Sequence, residues 1–240
     1  MKLHQLCLGI MLGLSAGIAA AADKRPAVVE LFTSQGCSSC PPADAYLNEL
    51  TRGNDDVLTL AYHVTYWNDL GWADPFSLEA STQRQRRYAA RLGEGPYTPQ
   101  IVVDGVSGMV GSNRRQVASA IDKAKKEGVT AAPISLAREG GRLSIGVGTG
   151  VGKGELLLIG FDREHTTQVG RGENGGRSLT ESSAVRSLRS VGKWDGSALT
   201  LREDFPDGEN IAVLLQGADG HVIGAAKLVG KSKPQASGSL

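Results

Sequence analysis

The sequence predicts an α/β N-terminal domain followed by a small all-β, sandwich-like C-terminal domain. Three observations carry this expectation. Short apolar runs alternate with helix-forming segments as far as Gly128. Beyond that point apolar runs continue between glycine-rich turns, without a long helical pattern. Two cysteines, Cys37 and Cys40, stand between the first apolar run and the first helical segment.

Taken in order, "AVVELFT" is short and apolar enough for a buried strand. "PPADAYLNELTR" places helix formers after two prolines, which the first turn of a helix tolerates. "VLTLAYHV" is a second strand, and "SLEASTQRQRRYAARLG" a helix ending at Gly93. "PQIVVDG" and "SGMVGS" follow as a third strand and a hairpin-like fourth. "NRRQVASAIDKAKKEG" is a helix with Asn113 as its cap, lysines in its last turn and Gly128 as its stop. In the second half, "PISLAREGGRLSIGVG", "GELLLIGFD", "SALTLRED" and "NIAVLLQGADGHVIGAAKLV" read as strands. The turn Ala218-Asp219-Gly220 marks a hairpin. The expected domains are residues 26–130 and 131–230, with the boundary near Thr130 to Pro133 and a disordered tail over 231–240.

The first 22 residues carry Lys2, an apolar run from Leu6 to Ile18 and small residues at Ala20 to Ala22. This is the pattern of a cleaved secretory signal, and it predicts a periplasmic or secreted protein. The run is shorter than the ~20 residues of a spanning helix, so no stable membrane insertion is expected after cleavage. Cleavage near Ala22 removes Cys7 and leaves Cys37 and Cys40 as the two cysteines of a chain bound for an oxidising compartment. A net charge of +1 argues against nucleic acid as a partner.

A cysteine at the mouth of a helix faces unpaired backbone N–H groups, which favour a thiolate. In this order of strand, CxxC and helix, Cys37 is the expected nucleophile and Cys40 the resolving thiol. Two other readings stay open: a structural disulfide, and metal binding, with Cu(I) the metal that soft thiolates suit. Zinc would need about four ligands, and the histidines left after cleavage (His63, His165, His221) lie far from the pair in sequence.

"ELFTSQGCSSCPPAD", "VLTLAYHVTYWNDLGWADPFS" and "YTPQIVVDG" together resemble a thioredoxin-like domain. With "RGENGGRSL" and the stretch to Arg186, they are similar to the secreted thioredoxin-like family called domain of unknown function 1223. The resemblance implies a thioredoxin-like first domain over 26–130 and a dithiol at Cys37 and Cys40. It implies a cis Thr98-Pro99 bond facing the pair, with Thr98 and Pro99 shaping a partner groove. Thioredoxins carry a buried aspartate beneath their cysteines. The matching strand here has no acid, which makes His63 the candidate proton relay. Ser38-Ser39 departs from the usual Gly-Pro between the cysteines and leaves the direction of electron flow open.

Tyr66, Trp67, Trp72 and Phe76 crowd one loop. They read either as a self-packed loop or as a wall in which Trp67 and Trp72 bind an apolar partner segment. Arg84, Arg87 and Arg91 share a helical face, as a solvated stripe or as a field for an acidic partner. "GRGENGGRSL" lacks the lysine-serine ending of a phosphate loop and reads as a β-loop. Alternatively, its Arg171, Glu173 and Arg177 reach the dithiol. The expected function is thiol–disulfide exchange with a protein or small-thiol partner, with no metal or organic cofactor. The alternatives are a Cu(I) carrier and a binding module with an inert bridge.

Overall fold

A computed structural model describes residues 25–53, 55–128 and 130–230. The expected signal segment 1–22 and tail 231–240 lie outside these residues.

The elements of the first half form where local sequence places them. They are β1 (Ala27–Thr33), α1 (Pro41–Gly53), β2 (Val57–His63), α2 (Glu79–Leu92), β3 (Gln100–Val103), β4 (Ser107–Val110) and α3 (Arg114–Glu127). Helix α2 ends on Gly93, whose φ of 71° is the left-handed conformation that glycine adopts without a Cβ clash. The Asn113 side chain accepts from Gln116 N and caps α3. The second half adds β5 (Ile134–Glu139), β6 (Arg142–Val147), β7 (Gly154–Phe161), β8 (Glu164–Gln168) and β9 (Ser178–Ser182). It is completed by β10 (Val185–Trp194), β11 (Leu199–Glu203), β12 (Asn210–Gln216) and β13 (Val222–Leu228).

The expected fold class is corrected. Among the described residues thirteen strands and three helices make the chain mostly β, in several sheets, and no α/β thioredoxin-like N-terminal domain is evident. The first sheet runs β2-β1-β3-β4, with β1 and β2 parallel and the β1–β3 and β3–β4 ladders antiparallel. The others run β10-β7-β12-β13, β11-β6-β5 and β8-β9. The alternation of strands and helices along the first half misled because it stops short of the assembly.

Strand alternation explains the packing. Val29 and Leu31 of β1 point to the face covered by Leu47 and Leu50 of α1 and Val117 and Ile121 of α3. Val28 and Phe32 point to the other face, in one core with Leu157, Ile159 and Phe161 of β7 and Ala212 and Leu214 of β12. The first sheet therefore buries one face against the second half of the chain. A third core, including Leu143, Ile145, Leu158, Val213 and Trp194, joins β6 to β7, β10 and β12.

The β8-β9 hairpin positions the site. Asn48 of α1 donates to Thr180 O at 2.7 Å and accepts from Ser182 N at 2.8 Å. Just beyond, Ala61 N of β2 donates to Ser183 O at 2.8 Å. These bonds lay the hairpin along α1 and the free edge of β2, with its loop over the end of β1.

Candidate dithiol site

Cys37 and Cys40 form a disulfide with a Cα–Cα distance of 5.4 Å. The turn holding it follows β1 and is closed by Cys37 N to Ser34 O and Cys40 N to Cys37 O. The Cys40 carbonyl accepts from Ala43 N at 2.8 Å and Asp44 N at 3.1 Å, so Cys40 opens α1. Pro41 and Pro42 occupy positions where a missing N–H costs nothing.

The Thr98-Pro99 peptide bond is cis. Thr98 Oγ1 donates to Cys37 Sγ at 3.3 Å and accepts from Trp67 Nε1 at 2.8 Å. Thr98, Trp67 and Cys37 are thus linked directly. Trp72 lies on another side, donating its indole N–H to Gln35 Oε1 at 3.1 Å.

Gln35 is the hub that sequence reasoning missed. Its backbone N–H donates to Asp74 Oδ2 at 2.8 Å. Its side-chain amide donates to Glu181 Oε2 at 2.6 Å and Thr167 Oγ1 at 3.0 Å, which ties it to both strands of the hairpin.

The β8-β9 loop covers the cysteines. Buried Asn174 donates to Gln35 O at 3.0 Å and Cys37 O at 2.9 Å, and its own oxygen accepts from Arg177 Nη1 at 2.8 Å. Glu173 accepts from Ser38 N at 3.0 Å, and bonding to Ser38 holds its carboxyl below the usual range. Gly172, at φ 77°, lies where an added Cβ would stand 3.1 Å from Trp72 Cβ, so the close approach and the backbone angle both suit glycine. The loop that the sequence left as either a plain β-loop or a crossover does reach the dithiol through Glu173 and Asn174. Both cysteines are 0% exposed, so the sulfur expected to act as nucleophile is buried in this arrangement.

Beneath the turn lies a buried polar cluster. His63 Nδ1 is 2.7 Å from Asp74 Oδ2. Burial alone would push the imidazole down, but Asp74, Glu181 and Asp44 outweigh it and hold it up to about 9. Asp74 is driven up by burial and more strongly down by His63 and its hydrogen bonds, for a net lowering. Asp44, one helical turn from Cys40, accepts from Thr33 Oγ1 at 2.7 Å. Burial, and then the nearby Glu181 carboxylate, raise its carboxyl well above the usual value. Glu181 Oε2 also lies 3.1 Å from His165 Nε2, and the His165 ring stacks on Phe76 with centroids 3.6 Å apart. His63 Nε2, Glu181 Oε1 and His165 Nδ1 are buried without a hydrogen-bond partner.

The structure thus gathers Cys37, Cys40, Thr98, Pro99, Trp67 and Trp72 at the turn and sets His63 among the acids below it. Asp44 was legible in principle, since i and i+4 share a helix face. Asp74, Glu181, His165 and Asn174 had no sequence signal, because they arrive from other elements. Among the described residues no group of three or more His, Cys, Asp or Glu is placed to hold a metal ion. No described helix is long and apolar enough to cross a membrane.

A family profile described as "Protein of unknown function (DUF1223)" matches residues 28–216. A crystal structure of a protein from Agrobacterium tumefaciens is similar at 36% identity with a TM-score of 0.75, covering 89% of this chain and 98% of that one. HBP35 of Porphyromonas gingivalis is similar in fold alone, at 16% identity and a TM-score of 0.58, over 90% of this chain and 79% of that one. No curated protein matches the chain.

Proposed function

Because the chain belongs to the DUF1223 family of proteins of unknown function, its activity has to be read from its own site, and we propose a thiol–disulfide oxidoreductase of the periplasm or secreted fraction. One observation carries the reading. The Cys37 sulfur sits at the approach to α1 and accepts a hydrogen bond from Thr98, next to a cis proline. Donors of this kind favour sulfur that carries negative charge.

In the reductive half-reaction a partner thiolate attacks Cys37 Sγ. The Cys37–Cys40 bond breaks, and Cys40 leaves as a thiolate that takes up a proton. A second partner thiol then attacks the mixed disulfide and releases Cys37. Two electrons enter the protein and the partner leaves as a disulfide. The reverse sequence oxidises a partner dithiol, and the reduction potential against that of the compartment sets the direction. The partner, a protein or small thiol, is received by Thr98, Pro99, Trp67 and Trp72. Burial of both cysteines requires the Glu173–Asn174 cover to move first.

A Cys40→Ser variant expressed with its leader tests this. The expected outcome is a set of mixed-disulfide adducts that disappear when Cys37 is also replaced. A second reading, a binding module with an inert bridge, is favoured by the complete burial of the cysteines. An empty trap together with a potential below about −300 mV would select it.

A further inference from the structure

The arginine stripe of α2 is divided by the structure. Arg84 turns into the core and pairs with Glu30, its Nε 2.5 Å from Glu30 Oε1. Arg87 and Arg91, one turn apart, stay exposed on the wall of a cleft of about 610 Å³. The facing wall carries Lys153, just before β7, and Lys193 of β10. Antiparallel pairing of β7 with β10 sets Lys193 opposite Glu155 and Trp194 opposite Gly154, which keeps the lysines at one end of that sheet.

Among the described residues none of these four cations makes an ion pair, whereas Arg52, Arg114, Arg142, Arg186, Arg189 and Arg202 each do; exposed Arg115, Lys126 and Arg171 make none either. Glu155 and Asp195 also line the cleft, and Lys153 acts on Asp195 through its charge. Two positive charges remain uncompensated, in a chain whose total is +1. Like charges held at i and i+4, faced by two more across a gap, repel one another unless an anion lies between them.

We propose that this cleft binds a small molecule carrying two or more phosphate groups, its negative ends reached by Arg87 and Arg91 on one side and Lys153 and Lys193 on the other. The volume falls within the roughly 300–1,000 Å³ of small-molecule sites. Cations on two facing walls suit a compact polyanion better than an extended acidic chain, which a flat stripe would serve. The cleft shares no lining residue with the dithiol turn, so the proposal stands apart from the redox reading.

Isothermal titration calorimetry of the full chain tests it, with pyrophosphate, tripolyphosphate and hexaglutamate as probes. Tripolyphosphate is expected to bind one-to-one and to weaken as salt rises through ~0.15 M. An Arg87→Glu, Lys193→Glu double variant, checked for folding by circular dichroism, is expected to lose ~10-fold or more in affinity. Arg115→Glu, an exposed cation elsewhere, and Cys37→Ser should leave binding unchanged. Absence of saturable tripolyphosphate binding, equal loss in Arg115→Glu, or tighter binding of hexaglutamate would each overturn the proposal.

Discussion

Two buried polar clusters lie on opposite faces of the first sheet, and they are built on different terms. On the face toward the second half, Glu30 receives Arg84 through both carboxylate oxygens. Arg84 also donates to Tyr88 OH at 2.8 Å and Gln216 Oε1 at 3.2 Å. Tyr88 donates to Glu30, and Gln216 donates to Tyr88 OH and Gly220 O. One cation meets one anion and these four side chains bond to one another, while the Tyr62 ring lies under Arg84 with its hydroxyl buried and unpartnered. On the face toward α1, Asp44, Asp74 and Glu181 gather around His63 and His165, and three ring or carboxylate atoms stay unpartnered. The first arrangement locks two parts of the chain together. The second keeps surplus acid beside a disulfide, where protonation can change. A matched ion pair is the mark of a structural cluster, and a surplus of titratable groups is the mark of a site.

The largest test of this contrast is Arg84→Met. It strands the Glu30 charge in the core and is expected to cost ~3–5 kcal/mol in urea unfolding. A loss below ~1 kcal/mol would place this cluster among weak surface pairs and erase the contrast.

The next test is pH. The His63 imidazole is raised from 6.5 to about 9. Its contribution is complete below 6.5 and is lost as pH climbs to about 9, a change of roughly 3 kcal/mol at most. The raised Asp44 carboxyl acts in the same direction over a range that starts lower, its contribution being complete below 3.8 and lost as pH rises above it. The lowered Asp74 works at the other end, supporting the fold above its unfolded value of 3.8 and failing as pH falls. Thermal midpoints should therefore fall as pH rises from 6.5 to about 9, and His63→Gln should flatten that fall. An unchanged slope in His63→Gln would show that this ring does not titrate with the fold.

A smaller effect is expected from Asn174→Ala, which removes donors from two backbone carbonyls. The cost should be ~1–3 kcal/mol. The informative readout is the rate of disulfide reduction by dithiothreitol, which should rise several-fold. Faster reduction without a matching loss of stability identifies the loop as a cover, and an unchanged rate removes that role.

Thr98→Val is the mildest. It leaves Trp67 Nε1 without its acceptor and the Cys37 sulfur without its donor, at ~1 kcal/mol. Tryptophan emission and the thermal midpoint together check it.

Much of the first half was legible residue by residue. The cap at Asn113, the stop at Gly93 and the prolines opening α1 are local signals, and the elements follow them. The CxxC turn was legible for the same reason. The strands β8, β9 and β10 were not. "EHTTQ" and "SLTES" are short and polar, with no apolar run to mark them. They are strands because they pair with each other, and because Asn48 and the free edge of β2 hold them. That hairpin delivers Glu181, His165 and Asn174, so the part of the site it brings could not be read in advance.

By itself the sequence determined where chain segments bend, where helices start and stop, and which cysteines could meet, because backbone preferences and a spacing of three residues act over short distances. Only the tertiary structure decided the fold class, the burial of the disulfide, the company of His63 and the division of the arginine stripe. Each of these depends on which distant side chain shares a face, and in this chain strand pairing and core burial settle that.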